Sequence, residues 1–418
     1  MKRAAKIFAF AGLALLLAYS FLGGSSSNQD ALRFLMEPDT SGVWADITAR
    51  FNRQFPGRPI EMVEGPPATG TREDMYATAF LGGESAYDIV YADTIWIPKF
   101  AAAGWLADLS GRITEEQRAS MLPADFTAGT YQGKLYRLPV SPDAGMLYYR
   151  ADLIDDPPQT FADLERIARE DMGQDGIPWG FVWQGKQYEG LVCDFLEVLW
   201  GYGGDWIDSD TREVLIDSPE SIQAIDFLKG TIGTISPPAV TTYTEEESRA
   251  IFFNNNSAFL RNWTYVWQLA KQSGTAIRDE IAVVPMVHAP GESSYATLGG
   301  TGFAISAFTY DPDRAWQFIE FATNEENQRL LQQRRGRIPA RRNLIPPQFL
   351  PILEDARPRP MIPEYAAASD ILQRWLSSAL VGEVDPETAM REAARETRAL
   401  LGPPLTAQEQ SQGALAQN

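Results

Sequence analysis

A chain of 418 residues, 44% hydrophobic and 22% charged, is long enough for two or three domains with well-buried cores and has the composition of a globular protein rather than a disordered one. Its formal net charge of −19 leaves no basic stripe to neutralise a phosphate backbone, so nucleic acid is not an expected partner. A single cysteine, Cys193, excludes an internal disulfide, and a single histidine, His288, in a loop-like Pro-Met-Val-His-Ala-Pro-Gly run, excludes a His-rich metal site and argues against a Ser-His-Asp centre.

Lys2, Arg3 and Lys6 precede an apolar stretch over 7–18, followed by a polar Ser25-Ser26-Ser27-Asn28-Gln29 run. That is the layout of an export signal, so residues 1–28 read as a signal peptide or an N-terminal anchor and the destination as periplasmic or extracellular. A tether through an uncleaved segment stays open, but no cysteine follows the apolar core, so a Cys-anchored lipoprotein is not expected. No other apolar run is long enough to cross a bilayer.

Residues 32–36 read as a short strand, and the next helix carries Trp44, Ile47, Phe51 and Phe55 at three- and four-residue steps along one stripe. Pro56-Gly57 stops it, and 59–63 reads as the following strand, the opening β-α-β unit of a parallel sheet. A helix is predicted over 71–80, then a buried strand over 87–91 with Asp93 two residues past its end and a helix over 95–103. Ligands of open α/β sheets bind at the carboxyl ends of strands, so Asp93 is either a ligand contact or a helix N-cap.

Residues 129–150 organise the rest. Gly133-Lys134 is a turn pair, and two prolines, Pro139 and Pro142, cannot both sit inside a central ladder, so the chain is led out of one sheet. Met146-Leu147-Tyr148-Tyr149 then has the composition of a strand in a second sheet. The stretch reads as an interdomain crossover with Asp143 at its polar lip; a hairpin within one domain is the alternative.

Beyond it, Thr160-Phe161-Ala162-Asp163 opens a helix as a capping box does. The segment 179–190, dense in Trp, Tyr, Gln and Glu, is either core packing or a loop suited to a hydroxylated ligand, and leads into an apolar helix over 191–200. Ser218-Pro219-Glu220 starts a further helix and Thr244-Glu245-Glu246-Glu247 is a second capping box. A strand over 257–260 runs out to Arg261-Asn262-Trp263, which puts Trp263 at a carboxyl end. A strand over 281–285 follows, and Gly299-Gly300-Thr301-Gly302 reads as a backbone-exposing turn. The tail is predicted helical over 312–323, 371–380 and from Asp385-Pro386 onward, with a basic patch over 334–342 and a frayed end over 407–418.

Carboxylates such as Asp93 and Asp143 accept two hydroxyl hydrogen bonds at once, and flat Trp or Tyr rings cover the C–H faces of a sugar. Backbone donors at Gly299-Gly300 and a guanidinium, with Arg359 a candidate, would complete such a cage. Paired carboxylates also describe a secreted glycoside hydrolase, which is the alternative. Against an enzyme stand the lack of a metal-ligand cluster, a G-x-S-x-G elbow and a phosphate loop; no metal and no cofactor are expected.

The run Tyr87-Asp88-Ile89-Val90-Tyr91-Ala92-Asp93, Gly104-Trp105-Leu106, Gly133-Lys134-Leu135-Tyr136, Arg261-Asn262-Trp263 and Arg357-Pro358-Arg359-Pro360, in that order, resembles family 1 extracellular solute-binding proteins of ABC transporters. The segment 180–195 resembles the trehalose/maltose-binding branch in particular. The resemblance implies an α/β, two-lobed periplasmic-binding-protein-like fold of the class II type, with the ligand cleft between lobes. It implies lobe 1 from 29–139 with 288–326, lobe 2 from 142–284 with 330–418, and crossovers near 139–142, 284–288 and 326–330. The implied function is sugar capture for import, with an α-linked disaccharide or glucosylated compatible solute of the trehalose, sucrose, maltose or glucosylglycerol type as ligand, ABC permease subunits as partners, and a monomeric receptor. Matching positions make Asp93 and Asp143 hydroxyl acceptors, Trp263 a stacking platform, Gly299 and Gly300 backbone contacts and Arg359 a donor, with Thr71 and Arg72 as further polar contacts. Thr301 and Ser141 depart from the branch, where aromatic residues stand at the matching positions, which implies a ligand fit different from that of trehalose.

Overall fold

The computed structural model describes residues 31–83, 86–173, 176–271, 277 and 280–406; the predicted signal over 1–28 and the predicted frayed end over 407–418 lie outside the described residues. An eight-stranded sheet contains β1 (Leu32–Met36), β2 (Ile60–Glu64), β3 (Ile89–Asp93), β4 (Leu138–Arg150), β5 (Trp179–Val182), β6 (Ser257–Trp263), β7 (Ile281–Val284) and β8 (Leu298–Ile305). The strand order is β2-β1-β3-β8-β4-β6-β5, with β7 also paired to β4. β1 pairs with β2 and β3 in parallel, as the β-α-β pattern predicts, and β8 enters antiparallel between β3 and β4.

The thirteen-residue β4 belongs to two ladders. Its residues 138–144 pair with β8, whereas 145–150 pair with β6 on one side and β7 on the other. The stretch is therefore a single strand, and its exchange of partners falls between Ala144 and Gly145. Pro139 and Pro142 both lie within the ladder, opposite Gly302 and Gly300. They are tolerated because β8 is the only strand neighbour of this half among the described residues, so a proline without an N–H can turn its empty side away from the ladder. A register shift between Thr301 and Gly302 leaves Val140 outside the pairing, and its carbonyl instead accepts from Gln328 Nε2 at 2.8 Å.

Gly299 to Gly302 form part of strand β8 rather than the predicted turn. Glycine is required there by close approach: a β carbon on Gly302 would lie 2.5 Å from the Leu138 carbonyl oxygen and one on Gly299 would lie 3.0 Å from the Trp263 ring.

On one face of the β1–β3 ladder the predicted stripe Trp44, Ile47 and Phe51, from helix Val43–Gln54, packs against Phe34, Phe303 and Phe318, with Trp44 and Phe303 rings 5.4 Å apart. Around β5 and β6, the core is built on helix Glu189–Gly201, buried at every residue after the first, and on helices Pro219–Thr231, Tyr365–Leu380 and Pro386–Leu401. Each fully buried Leu or Phe in these layers contributes about 1.5–3 kcal/mol relative to exposure. The predicted Thr160 capping box is present, with Asp163 N–H donating to Thr160 Oγ1 at 3.1 Å and Thr160 N–H to Asp163 Oδ2 at 3.2 Å. The aromatic and amide-rich segment divides: residues 180–185 are core, with Trp183 and Gln184 fully buried and Trp183 Nε1 donating to Thr231 Oγ1 at 3.1 Å, whereas Lys186 and Gln187 are exposed. Among the described residues no helix is long and apolar enough to cross a membrane.

A buried ionic cluster lies beneath the point where β4 changes partners. Arg261 Nε donates to Glu197 Oε2 at 2.7 Å, Arg261 Nη1 donates to Gln184 Oε1 at 2.9 Å, and Asp194 Oδ1 lies 2.7 Å from Arg261 Nε. Gly145 lacks a side chain because a β carbon there would overlap Glu197 Oε1 and Arg261 Nη2. Two carboxylates share one guanidinium, and burial, opposed by Arg261 and reinforced by Glu197, pushes the Asp194 carboxyl well above the ordinary range. An aspartate raised in the folded state contributes stability that is fully present below its unfolded pKa of about 3.9 and is lost as pH rises toward the folded value. Asp194→Asn is therefore expected to gain stability relative to wild type between about pH 4 and pH 7, read as the difference in urea midpoints. Glu197→Gln should cost about 3 kcal/mol at pH 7, because it leaves Arg261 short of its partner. A difference between Asp194→Asn and wild type that stays constant with pH would contradict a protonated Asp194.

Candidate functional site

Three carboxylates and one indole gather where the carboxyl ends of β1 and β3 meet the changeover in β4. Glu37 follows the last residue of β1, Asp93 ends β3, Asp143 lies opposite Gly299 on β4, and Trp263 ends β6 opposite Gly145. Thr301 pairs with both Asp93 and Ser141, two residues along from the Gly299–Asp143 pair, so period-two alternation puts both aspartates on the same face of the sheet.

Asp143 is buried, and its Oδ1 accepts from Thr264 Oγ1 at 2.6 Å, Thr264 N at 2.9 Å and Ala144 N at 3.0 Å. Its Oδ2 faces Arg337 Nη1 at 3.5 Å. Burial raises its carboxyl above the ordinary range against the pull of Arg337 and the Thr264 bonds. The half-buried Trp263 is held at both ends. Arg261 lies 4.4 Å over its ring, and its Nε1 donates to Glu245 Oε1 at 3.2 Å. Gly299 is the residue against which that ring rests, and Gly300 beside it has a φ of 115°, a conformation glycine adopts without strain.

Asp93 does what the N-cap alternative predicts: its Oδ1 accepts from Ile95 N at 3.2 Å. It also meets Arg359, whose Nη2 is 3.5 Å from the same oxygen. The buried Arg359 guanidinium is already engaged on the other side, where Nη1 donates to Glu189 Oε1 at 2.7 Å. Glu189 is held in turn by Tyr365 Oη and by Ser369 Oγ, which donates to its Oε2 at 2.5 Å. Arg359 thus links the end of β3 to the first turn of helix Glu189–Gly201.

Arg72 is buried, donates from Nη1 to the Pro66 and Pro67 carbonyls at 2.7 and 2.6 Å, and reaches to 3.8 Å from Glu37 Oε2. Its neighbour Thr71 is exposed on helix Thr69–Leu81 and makes no side-chain hydrogen bond among the described residues. Of the two positions where the sequence departs from its branch, Ser141 is buried and donates to the Ile338 carbonyl at 2.9 Å. Thr301 donates to Tyr91 Oη at 2.7 Å.

Sequence reasoning missed Glu37, Arg335 and Arg337. Arg335 Nη2 donates to Glu37 Oε1 at 2.9 Å, and Arg337 Nη2 lies 3.7 Å from the same oxygen. Burial alone would raise the Glu37 carboxyl, but Arg335, Arg337 and Arg72 together hold it below the ordinary range. The strand-end position of Glu37 and the basic patch over 334–342 were the available signals, yet nothing in the sequence joins them across some three hundred residues.

Asp93 and Asp143 stand on strands that flank β8, and they are offset along it: Asp93 pairs with Thr301 and Asp143 with Gly299. A shallow depression of about 520 Å³ beside Arg112, Arg314 and Trp316 shares no residue with the cluster. Its charges already pair with one another, as Arg112 and Asp313 do at 2.8 Å, so the strand-end cluster is the better candidate site.

The profile of the bacterial extracellular solute-binding protein family matches residues 36–329. A probable ABC transporter-binding protein of Deinococcus radiodurans is 33% identical over 282 residues, covering 65% of this chain and 67% of that protein. The maltotriose-binding protein of Pyrococcus abyssi is 24% identical over 295 residues, covering 70% of this chain and 62% of that one. Among solved structures, maltose-bound MalE3 of T. maritima superposes with a TM-score of 0.81 at 33% identity, over 89% of this chain and 100% of that chain. The first two are named as binding proteins and the third is described with maltose bound. With a family profile matching residues 36–329 and a two-ladder sheet that superposes on a maltose-bound protein, the chain belongs to the bacterial extracellular solute-binding protein family and is a binding protein rather than an enzyme.

Proposed function

We propose that this chain is the receptor of an ABC sugar importer, which captures an α-linked disaccharide or glucosylated compatible solute between two lobes and delivers it to membrane permease subunits. The observation that carries this reading is Asp143, buried on the one strand shared by both ladders, with its Oδ2 accepting no hydrogen bond among the described residues and the Trp263 ring held across Gly299. An oriented carboxylate beside a flat indole is the pairing a sugar ring asks for, one group for its hydroxyls and one for its C–H face. Maltose and maltotriose, named for two similar proteins, support the sugar class. Asp93, Asp143 and Glu37 serve in this reading as hydroxyl acceptors, Trp263 as the platform and Gly299-Gly300 as the floor.

The lobes of this proposal meet at Ala144–Gly145, where β4 exchanges partners, and Arg359 spans the cleft as a strut between Asp93 and Glu189. Ligand contacts to both sides stabilise the closed arrangement that a permease recognises.

A thermal-shift screen against trehalose, sucrose, maltose and glucosylglycerol tests the function. A ligand at about 100 times its dissociation constant adds roughly 2.7 kcal/mol of apparent stability, and the absence of a shift with every one of these sugars would overturn the reading. Trp263→Ala is expected to weaken binding of the active sugar by at least about 1.5 kcal/mol in titration calorimetry. Unchanged affinity would remove Trp263 as the platform. Arg359→Ala should both lower the melting temperature of the ligand-free protein and weaken binding, since it leaves Asp93 and Glu189 without their shared cation; a change in neither would show that Arg359 is not a strut.

A further inference from the structure

The groups around Asp143 differ in how much of their hydrogen-bonding capacity they use. Arg337 stands out. Its backbone is held tightly: Gly336, with a φ of 69°, ends helix Glu325–Arg335, and the following Ile338 carbonyl accepts from Ser141 Oγ at 2.9 Å. Ala340 N donates to Gln328 Oε1 at 2.6 Å, and Gln328 reaches Val140 on β4. The guanidinium at the end of this pinned segment nevertheless makes no hydrogen bond among the described residues. It has only two longer ion pairs, 3.5 Å to Asp143 Oδ2 and 3.7 Å to Glu37 Oε1, and its side chain is 31% exposed. Arg335, two residues earlier, spends its Nη2 on Glu37, and Arg359 spends its Nη1 on Glu189.

Acceptor capacity is unspent on both sides of Arg337. Among the described residues Asp143 Oδ2 accepts no hydrogen bond, and neither does the buried Glu37 Oε2, which has only Arg72 Nη2 at 3.8 Å. We infer that Arg337 is a specificity-determining ligand contact, a guanidinium fork that donates to two adjacent hydroxyls of a neutral sugar while Asp143 and Glu37 accept from them. This rests on the sugar-receptor reading above and deepens it.

Charge decides between a neutral and an anionic ligand at this position. The groups facing Arg337 are Glu37, Asp143 and the phenols of Tyr91 and Tyr265; Arg335 meets the same Glu37 oxygen as Arg337, and Arg72 the other one. A carboxylate or phosphate placed on Arg337 would compete with Glu37 and Asp143, the two acids it already faces, for the same guanidinium. A hydroxyl pair donates to the acceptors and accepts from the guanidinium, so all three groups are satisfied without a new charge.

The test uses titration calorimetry of the full chain, as wild type, Arg337→Gln and Arg337→Lys, with maltose, trehalose and sucrose and with the sugar acid maltobionate. For whichever neutral disaccharide the wild type binds, Arg337→Gln is expected to lose at least tenfold in affinity and Arg337→Lys, which keeps the charge but not the fork, to lose less. The melting temperature of the ligand-free protein should stay within about 2 °C of wild type in both variants, because Glu37 keeps Arg335 and Arg72; a purely structural role would move it. Affinity of Arg337→Gln within twofold of wild type, or tighter wild-type binding of maltobionate than of maltose, would overturn the inference and leave the receptor reading intact. Wild-type protein that binds none of the four would overturn the receptor reading itself.

Discussion

Everything in this molecule depends on β4 being an edge strand for half its length and an interior strand for the other half. The first half tolerates two prolines because it has a strand neighbour on one side only. The second half, flanked by β6 and β7, contains no proline and runs Gly145-Met146-Leu147-Tyr148-Tyr149-Arg150. The changeover is also where the chain has least room, with Glu197 and Arg261 directly beneath Gly145. Asp143, two residues earlier, inherits its position from that geometry. A carboxylate at the junction of two ladders is placed to feel any motion of one against the other, and the proposed function would use that motion to report occupancy.

The Arg261 cluster is an expensive way to support such a junction. Buried ion pairs of this kind are weak contributors to net stability, since desolvation offsets most of the Coulomb gain. Their use here is orientation. Arg261 holds the Trp263 ring from below at 4.4 Å, and Glu197 Oε1 accepts from Thr297 N at 3.0 Å at the entrance to β8. Thr297 Oγ1 in turn donates to the Cys193 carbonyl at 3.0 Å, tying the same point to helix Glu189–Gly201. The Trp263 ring, the start of β8 and the changeover in β4 are thereby tied to one cluster of directional contacts, which a hydrophobic core of equal volume would not supply.

What could be read from the sequence follows the range of the interactions involved. The opening β-α-β unit, the Thr160 and Asp385 caps and the carboxyl-end positions of Asp93 and Trp263 were legible, because each is set by residues a few positions apart. Gly299 to Gly302 looked like a turn because local rules assign glycine to turns; their actual reason, close contact with β4 and Trp263, is long-range. Segment 179–190 was ambiguous between core and loop for the same reason, since Gln184 is satisfied by Ser248 and Arg261 far along the chain. The arginines of 334–342 were visible as a basic patch, but their partners Glu37 and Asp143 come from the other end of the sequence and from its middle.

Those arginines, with Arg359, bear on how the site can hold three carboxylates together. Each carboxylate of the cluster is met by a guanidinium from a distant part of the chain: Glu37 by Arg335, Asp143 by Arg337, Asp93 by Arg359. An isolated carboxylate buried this deeply would take up a proton and cease to be a pure acceptor. Glu37, ringed by three arginines, is held ionised in spite of its burial, whereas Asp143, with one longer pair at 3.5 Å, is pushed the other way. The two acceptors therefore differ in kind: the arginines around Glu37 favour its charged form, whereas burial disfavours that of Asp143. In the proposed function a neutral polyhydroxyl ligand would meet both acceptors, whereas an anion on Arg337 would compete with its existing pairs to Glu37 and Asp143.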